Sequence, residues 1–218
     1  MTEKSPNDLA AAVPPRSRRT AKAGKFFAVS DVLGRGSAGY EIVNRDAVLQ
    51  NTTAKIFVRP LGGRGFPDYP VAPRLLFDKK FGRPVRDLER REGFWLVSDR
   101  AKVVFESIDP DAFAFLRCEV QFLDGSDGPV YWLCDVLPDL DAVDEARSIV
   151  EIKYESNGEK YYSFMKPTSL EFHRDLIESR HIFRLTRFMP KIICDEIFRQ
   201  ACKDEGLTGI RFREAKKL

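Results

Sequence analysis

The 218-residue chain contains the same strand–helix–strand pattern twice, and this repetition constrains the fold more than any other feature. The first copy covers residues 94–120 and the second covers residues 191–214. Each copy has a short apolar run, a polar helix start, an amphipathic segment of about three turns, a turn and a second strand-like run. Small units of this kind form recognition scaffolds more often than active sites. The pattern therefore favours a binding protein.

The remainder of the chain is dominated by strand signals. With 43% hydrophobic residues and 17 Phe, the chain has enough apolar material for a sizeable core. An Asn157-Gly158 turn between two alternating runs predicts a hairpin, and the nearly all-apolar run 130–137 predicts a strand buried on both faces. The class predicted is α+β, with mixed and antiparallel sheets and a few short helices. Further strands are predicted at residues 25–29, 40–43, 54–58, 75–78 and 182–185.

Residues 1–25 differ in composition from the rest. They are rich in Ala, Pro, Ser and Arg and carry six basic and two acidic residues, which predicts a disordered basic tail. We favour a solvated extension over a nucleic-acid contact, and nucleic acid is not an expected partner. Residues 26–218 are predicted to form a single domain, with a subdomain 26–90 and a core 91–218 as the alternative division. Neither a membrane span nor a signal peptide is recognisable, so a cytoplasmic protein is expected.

The sequence offers little for catalysis. Its four cysteines form no C-x-x-C pair and there are only two histidines, which argues for buried free thiols and against a zinc site or another cofactor. Cys194 occupies the helix start of the second unit, where a thiol can become reactive. Ser98 occupies the matching point of the first unit, which favours capping over chemistry. His173 and His181 have no identifiable catalytic partner. No catalytic residue is therefore predicted.

A glycine-rich segment from Gly34 to Gly39 matches G-x-G-x-x-G between two predicted strands. This arrangement is found in the phosphate loop of protein kinases, with Lys55 as the candidate lysine and residues 173–176 (His-Arg-Asp-Leu) as the start of a catalytic loop. The metal-binding Asn of that loop is replaced by Arg180, and no Asp-Phe-Gly follows. A hairpin turn is the preferred interpretation. A nucleotide-binding, phosphoryl-transferring enzyme remains the alternative function.

The charge is unevenly distributed along the chain. Residues 106–145 contain eleven acidic residues and one basic residue, Arg117. Like charges gathered this densely repel one another, so such a face often serves a partner of opposite sign. A solvated acidic surface that maintains solubility is the other interpretation. Residues 138–145 follow a buried strand and predict an exposed acidic loop.

Three short segments form a recognisable series: residues 182–185 (Ile-Phe-Arg-Leu), residues 192–196 with Cys194, and the terminal Gly-Leu-Thr-Gly at 206–209 followed by Phe212. They resemble the motifs of the immunity proteins of bacterial polymorphic toxin systems, and in particular immunity family eleven, in which Ser is usual at the position of Cys194. The resemblance covers residues 75–214. It implies a cytoplasmic, non-enzymatic protein that binds and neutralises a cognate toxin domain. Toxins paired with this family are often nucleases.

A nuclease active site must attract phosphate and so tends to be basic. An acidic face would compete for it and accelerate association. Aromatic residues close to the acidic loop in sequence would anchor the interface. The candidate toxin-binding residues are Asp109, Asp111, Asp135, Asp139, Asp141, Asp144, Glu145, Tyr131 and Trp132.

Overall fold

The computed structural model describes residues 24–32, 36–49, 56–60, 63–186 and 191–218. The α+β class is confirmed. The helices are α1 (Arg45–Val48), α2 (Asp99–Ile108), α3 (Arg174–Ile177) and α4 (Glu196–Asp204). The strands are β1 (Phe26–Asp31), β2 (Tyr40–Ile42), β3 (Arg74–Phe77), β4 (Leu88–Arg91), β5 (Phe94–Ser98), β6 (Phe113–Phe122), β7 (Tyr131–Val136), β8 (Asp139–Leu140), β9 (Glu151–Tyr154), β10 (Lys160–Ser163), β11 (Ile182–Leu185), β12 (Ile192–Asp195) and β13 (Ile210–Glu214).

Both predicted strand–helix–strand units are present, and each is split by an inserted strand. In the first unit, β5 and β6 are parallel to one another because both pair antiparallel with β7, which lies between them. In the second unit, β12 and β13 are parallel because both pair antiparallel with β1. Each helix is therefore a crossover between two parallel strands separated by one antiparallel strand. The inserted strand comes from elsewhere in the chain, so the repeat pattern alone did not reveal it.

The two units build two sheets. The first contributes to a six-stranded sheet in the order β2-β3-β6-β7-β5-β4, and the second to a five-stranded sheet in the order β13-β1-β12-β11-β8. Strands β9 and β10 form the predicted hairpin, with Lys160 opposite Tyr154. The apolar run that predicted a strand buried on both faces is β7, in which only Trp132 is partly exposed.

In the described ranges, the buried apolar side chains form three clusters. The largest lies around α2 and α4, where the rings of Phe105 and Phe198 have centroids 5.1 Å apart, and it takes side chains from both sheets. A second cluster covers the opposite face of the five-stranded sheet. A third fills the concave face of the six-stranded sheet, where Phe57 and Leu49 pack against its strands. Because α2 and α4 pack against each other, the two sheets share the largest of these clusters.

The predicted hairpin around the glycine-rich segment is wrong. Strand β1 pairs with β12 and β13 in one sheet, whereas β2 pairs with β3 in the other. The strand–turn–strand geometry of a kinase phosphate loop is therefore not formed, although Gly34 and Lys55 themselves lie outside the described residues.

The strand predicted at 54–58 is not formed over residues 56–58. The basic tail also falls almost entirely outside the described residues, except for Gly24 and Lys25. Strand β4 spans residue 90 and pairs with β5, so the chain is hydrogen bonded across the alternative subdomain division.

Candidate functional site

Most of the eleven acidic residues of the segment 106–145 lie at two separate ends of the β6–β7 hairpin, whereas Glu106 belongs to α2. Phe113 pairs with Val136 at one end of this hairpin, and Cys118 pairs with Tyr131 further along it. A strand of ten residues such as β6 is about 30 Å long, so the two ends are well separated. Glu119, Asp124 and Asp127 lie towards the turn of the hairpin, whereas the remaining aspartates of the candidate set lie at or beyond its base.

Four of the candidate residues form what we call the acidic end: Asp111, Asp139, Asp141 and Asp144. The first three are exposed and Asp144 is half-buried. The two sides of the hairpin are joined here, because the backbone N–H of Leu137 donates to the carbonyl of Ala112 at 2.9 Å. Arg64 lies 3.5 Å from the Asp139 carboxylate. Glu145 follows the acidic end but contacts Lys160 and Tyr162.

Asp135 is not a surface residue, although it was a candidate for the interface. Its side chain is completely buried, and its carboxylate accepts hydrogen bonds from Arg59 (2.7 and 2.9 Å) and Arg184 (2.9 Å). Burial alone would raise the pKa of Asp135, but the hydrogen bonds from Arg59 and from the Gly65 backbone, together with the charge of Arg184, lower it. Asp135 is therefore ionised, and its carboxylate holds Arg59, Gly65 and Arg184 together in the interior.

Asp109 is also buried, and its carboxylate accepts a 2.9 Å hydrogen bond from the backbone N–H of His181. It connects the end of α2 to the start of β11 rather than facing solvent. Charge counting along the sequence could not distinguish Asp109 and Asp135 from their exposed neighbours, because burial of a carboxylate depends on partners that are remote in the chain.

The buried Asp135 also binds the backbone of Gly65, which is adjacent to the Arg64 that pairs with Asp139. Gly65 donates its backbone N–H to Asp135 at 3.0 Å, and its φ is +83°. A Cβ at this position would lie only 3.2 Å from the Cβ of Ala114, so both the backbone angle and the available space favour glycine. Arg59 also donates to the carbonyl of Gly93 at 2.8 Å and lies 4.4 Å from the ring of Phe94. Arg59 and Arg64 are not among the residues that the sequence predicts for the site, because their only signal there is a Gly/Pro-rich stretch that predicts a loop.

The two aromatic candidates point to opposite faces of β7. Tyr131 is buried, and its hydroxyl lies 3.3 Å from the carbonyl oxygens of Val85 and Arg86. Trp132 lies on the helix side, where its Nε1 donates to Asp99 at 2.9 Å and the Lys102 ammonium lies 5.0 Å from its ring. Both residues are near the middle of the hairpin, and the structure does not bring them together with the acidic end.

The residues that cap the starts of α2 and α4 are Ser98 and Asp195. Ser98 caps α2 by accepting from the Ala101 N–H at 3.3 Å, as predicted. In the second unit the cap is Asp195, which accepts from Phe198 at 3.0 Å, and Cys194 lies one residue earlier inside β12. Burial raises the pKa of the Cys194 thiol well above its usual value. The capping role predicted for Cys194 is therefore wrong, and a buried thiol with a raised pKa is not expected to be reactive.

The histidines have structural surroundings. His181 Nδ1 lies 2.8 Å from the carboxylate of Asp195, and His173 precedes the single turn of α3. Within the described ranges, no group of three or more His, Cys, Asp or Glu side chains is arranged to hold a metal ion. No helix in those same ranges has both the length and the apolar character needed to cross a membrane.

Comparison with known proteins gives one result that covers nearly the whole chain. A model of the immunity protein family (Imm11) matches residues 25–217. No curated protein matches the chain. The match includes β1 and β2 as well as both strand–helix–strand units, and so extends beyond the motifs that first indicated the resemblance. The chain belongs to the immunity protein family Imm11.

Proposed function

We propose that this protein binds and neutralises a cognate bacterial toxin domain of the nuclease type, in the cytoplasm of the producing cell and without catalysis of its own. Membership of the immunity family supports toxin neutralisation in general. The observation that supports a basic, nuclease-type partner is the acidic end, where Asp111, Asp139 and Asp141 are exposed around the base of one hairpin.

The physical case for this partner is electrostatic. A nuclease must attract phosphate, so its active site tends to be lined with basic groups. An acidic surface competes for those groups and steers the two proteins together, which raises the association rate above that of a neutral pair. The acidic end is also supported by contacts to described residues, because Asp135 binds the backbone of Gly65 and the adjacent Arg64 pairs with Asp139. A surface that is ordered before binding loses less entropy when the complex forms.

The test is to remove the charge of the acidic end while keeping its hydrogen-bond acceptors. The triple variant Asp139→Asn, Asp141→Asn and Asp144→Asn would be mixed with the purified toxin domain encoded beside this gene. We expect its association rate to fall roughly tenfold at low salt and the salt dependence of that rate to flatten. Stopped-flow kinetics at several ionic strengths would measure both effects.

The β6–β7 hairpin supplies a matched control. The triple variant Glu119→Gln, Asp124→Asn and Asp127→Asn removes the same charge from the turn end of the hairpin, about 30 Å away. If the acidic end is the contact surface, this control should change the association rate much less than the first variant does. Equal effects would show that only net charge matters, and unchanged kinetics in both variants would remove the acidic end from the interface while leaving neutralisation intact.

A further inference from the structure

The two edge strands of the six-stranded sheet face the same cavity. Strands β2 and β4 are at opposite ends of the strand order, yet both line a cavity of 570 Å³. Arg91 of β4 lies with its guanidinium carbon 5.7 Å from the ring centre of Tyr40 of β2. The sheet is therefore curled into an incomplete barrel, and the cavity is the gap between its edges.

The edge of β4 that faces this gap has backbone groups available for pairing. Ser98 donates its N–H to the carbonyl of Asp87 at 3.0 Å, so the alternation of an antiparallel ladder turns the N–H and C=O of Leu88 and Arg90 away from β5. Leu88 confirms this direction, because its N–H donates to the carbonyl of Thr208 at 3.1 Å. Within the described part of the chain, no backbone group pairs with the outward N–H and C=O of Arg90.

Strand β2 also has backbone groups that point away from its neighbour in the sheet, β3. Asp78 donates to the carbonyl of Gly39 at 3.2 Å and Val43 donates to the carbonyl of Arg74 at 3.0 Å. The alternation between these bonds turns the N–H and C=O of Ile42 away from β3. The segments that precede the two strands are bonded to each other, because the Gly39 N–H donates to the Arg83 carbonyl at 2.7 Å and the Arg83 N–H donates to the Ser37 carbonyl at 3.0 Å. Among the described residues no backbone hydrogen bond joins β2 itself to β4, and the space between these two strands is the gap.

The gap opens towards the acidic end. Strand β4 ends where β5 begins, and Trp95 of β5 pairs with Cys134 near the end of β7. Arg59 connects this region directly to the buried acid, since it donates both to the Gly93 carbonyl between β4 and β5 and to Asp135. The open edge and the acidic end therefore lie at the same end of the sheet.

We propose that this gap receives an extended segment of the bound toxin, which pairs through its main chain with the free edge of β4. The proposal rests on the proposed function and adds to it the mode of recognition: strand addition to an open sheet edge. Main-chain hydrogen bonds hold such a segment, and the acidic end attracts the remainder of a basic partner. A cavity of 570 Å³ accommodates a short segment rather than a folded element.

The charges on β4 argue for a foreign segment rather than a second copy of this chain. Arg90 is exposed, and no described acidic residue forms an ion pair with it. Antiparallel self-pairing centred on Arg90 would place two Arg90 side chains directly opposite each other, which is destabilising. Charged residues on an edge strand are a common means of preventing self-association.

The substitution Arg90→Pro tests the main-chain contact. Proline lacks the N–H that faces the gap, and proline is tolerated where a strand N–H points out of the sheet, so the β4–β5 pairing is retained. We expect the affinity for the purified toxin domain encoded beside this gene to fall about tenfold. The control Arg90→Ala removes the side chain but keeps the N–H, and should lose at most a few-fold.

Hydrogen exchange on the unmodified protein gives a second measurement that does not depend on a variant. Adding the toxin domain should slow exchange of the Arg90 amide, which faces the gap in the free protein. A tight complex in which this amide exchanges at its free rate would overturn the strand-addition proposal but leave neutralisation standing. Protection that appears without toxin and rises with protein concentration would assign the edge to a second copy. No complex at all would overturn the proposed function and this inference with it.

Discussion

Arg184 and Asp135 form an ion pair in the interior, with the arginine Nη2 2.9 Å from the carboxylate Oδ1 and side-chain exposures of 8% and 0%. Arg184 belongs to β11 of the five-stranded sheet, and Asp135 belongs to β7 of the six-stranded sheet. Arg184 also donates through Nε to the carbonyl of Val136 at 3.1 Å. The pair therefore joins the two sheets directly beneath the acidic end.

Replacing Asp135 with alanine should destabilise the protein strongly. The substitution leaves the charges of Arg184 and Arg59 without their common partner, and an uncompensated buried charge costs about 3–5 kcal/mol. Urea denaturation would measure the loss in unfolding free energy. The control Asp139→Ala breaks a partly exposed pair with Arg64 and should cost less than about 1 kcal/mol. Similar losses for the two variants would contradict the role assigned to Asp135.

Glu89 should make stability depend on acid pH. Its side chain is 6% exposed; burial alone would raise its pKa, but hydrogen bonds from Arg83 and Arg86 bring the pKa from 4.5 down to about 2. Because the folded pKa is depressed, this contribution is complete above pH ~4.5 and is lost as the pH falls towards 2. The loss amounts to about 3 kcal/mol.

The comparison that checks this contribution is Glu89→Gln against the unmodified protein. Denaturant unfolding at pH 6, 4 and 3 should show a smaller decline in stability for the variant, because glutamine has no charge to lose. The exposed Glu119, replaced by Gln, serves as the control and should leave the decline unchanged. A variant whose stability falls with pH as steeply as that of the unmodified protein would contradict the assignment.

The cysteines should be unreactive in the folded protein. All four are buried, and burial raises the pKa of Cys118 and Cys202 to about 12. Because the thiolate is the reactive form, alkylation by iodoacetamide at pH 8 should label none of them over minutes. Mass spectrometry would count the labels, with full labelling in guanidinium as the positive control. Rapid modification of Cys194 in the native protein would be the contrary result.

Trp132 should contribute to stability and little to toxin association. Trp132→Phe retains an aromatic ring beside Lys102 but loses the 2.9 Å hydrogen bond to Asp99, which should cost about 1 kcal/mol. Trp132 is four residues, or about 13 Å, along β7 from the base of the hairpin. Thermal unfolding and stopped-flow association would separate the two effects. A large fall in the association rate of the Trp132→Phe variant would show that Trp132 belongs to the toxin interface.

The local elements of this protein were predictable because their signals are local. Ser98 caps α2 where the polar residue between an apolar strand and an amphipathic helix indicated it. The Asn157-Gly158 turn produced its hairpin, with Gly158 at a φ of +85°. The second helix start was misplaced by one residue, because Cys194 and Asp195 are both short polar candidates and only the side-chain bond to Phe198 identifies the cap.

The sequence by itself determined the α+β class, both strand–helix–strand units and the family, since hydrophobic periodicity and short motifs carry that information along the chain. Only the tertiary structure decided which charges face a partner. It divided one acidic segment between the two ends of a hairpin, and it buried Asp135 with Arg184, which is 49 residues away in sequence. Burial and pairing depend on contacts between remote residues, and no pattern within either strand encodes them.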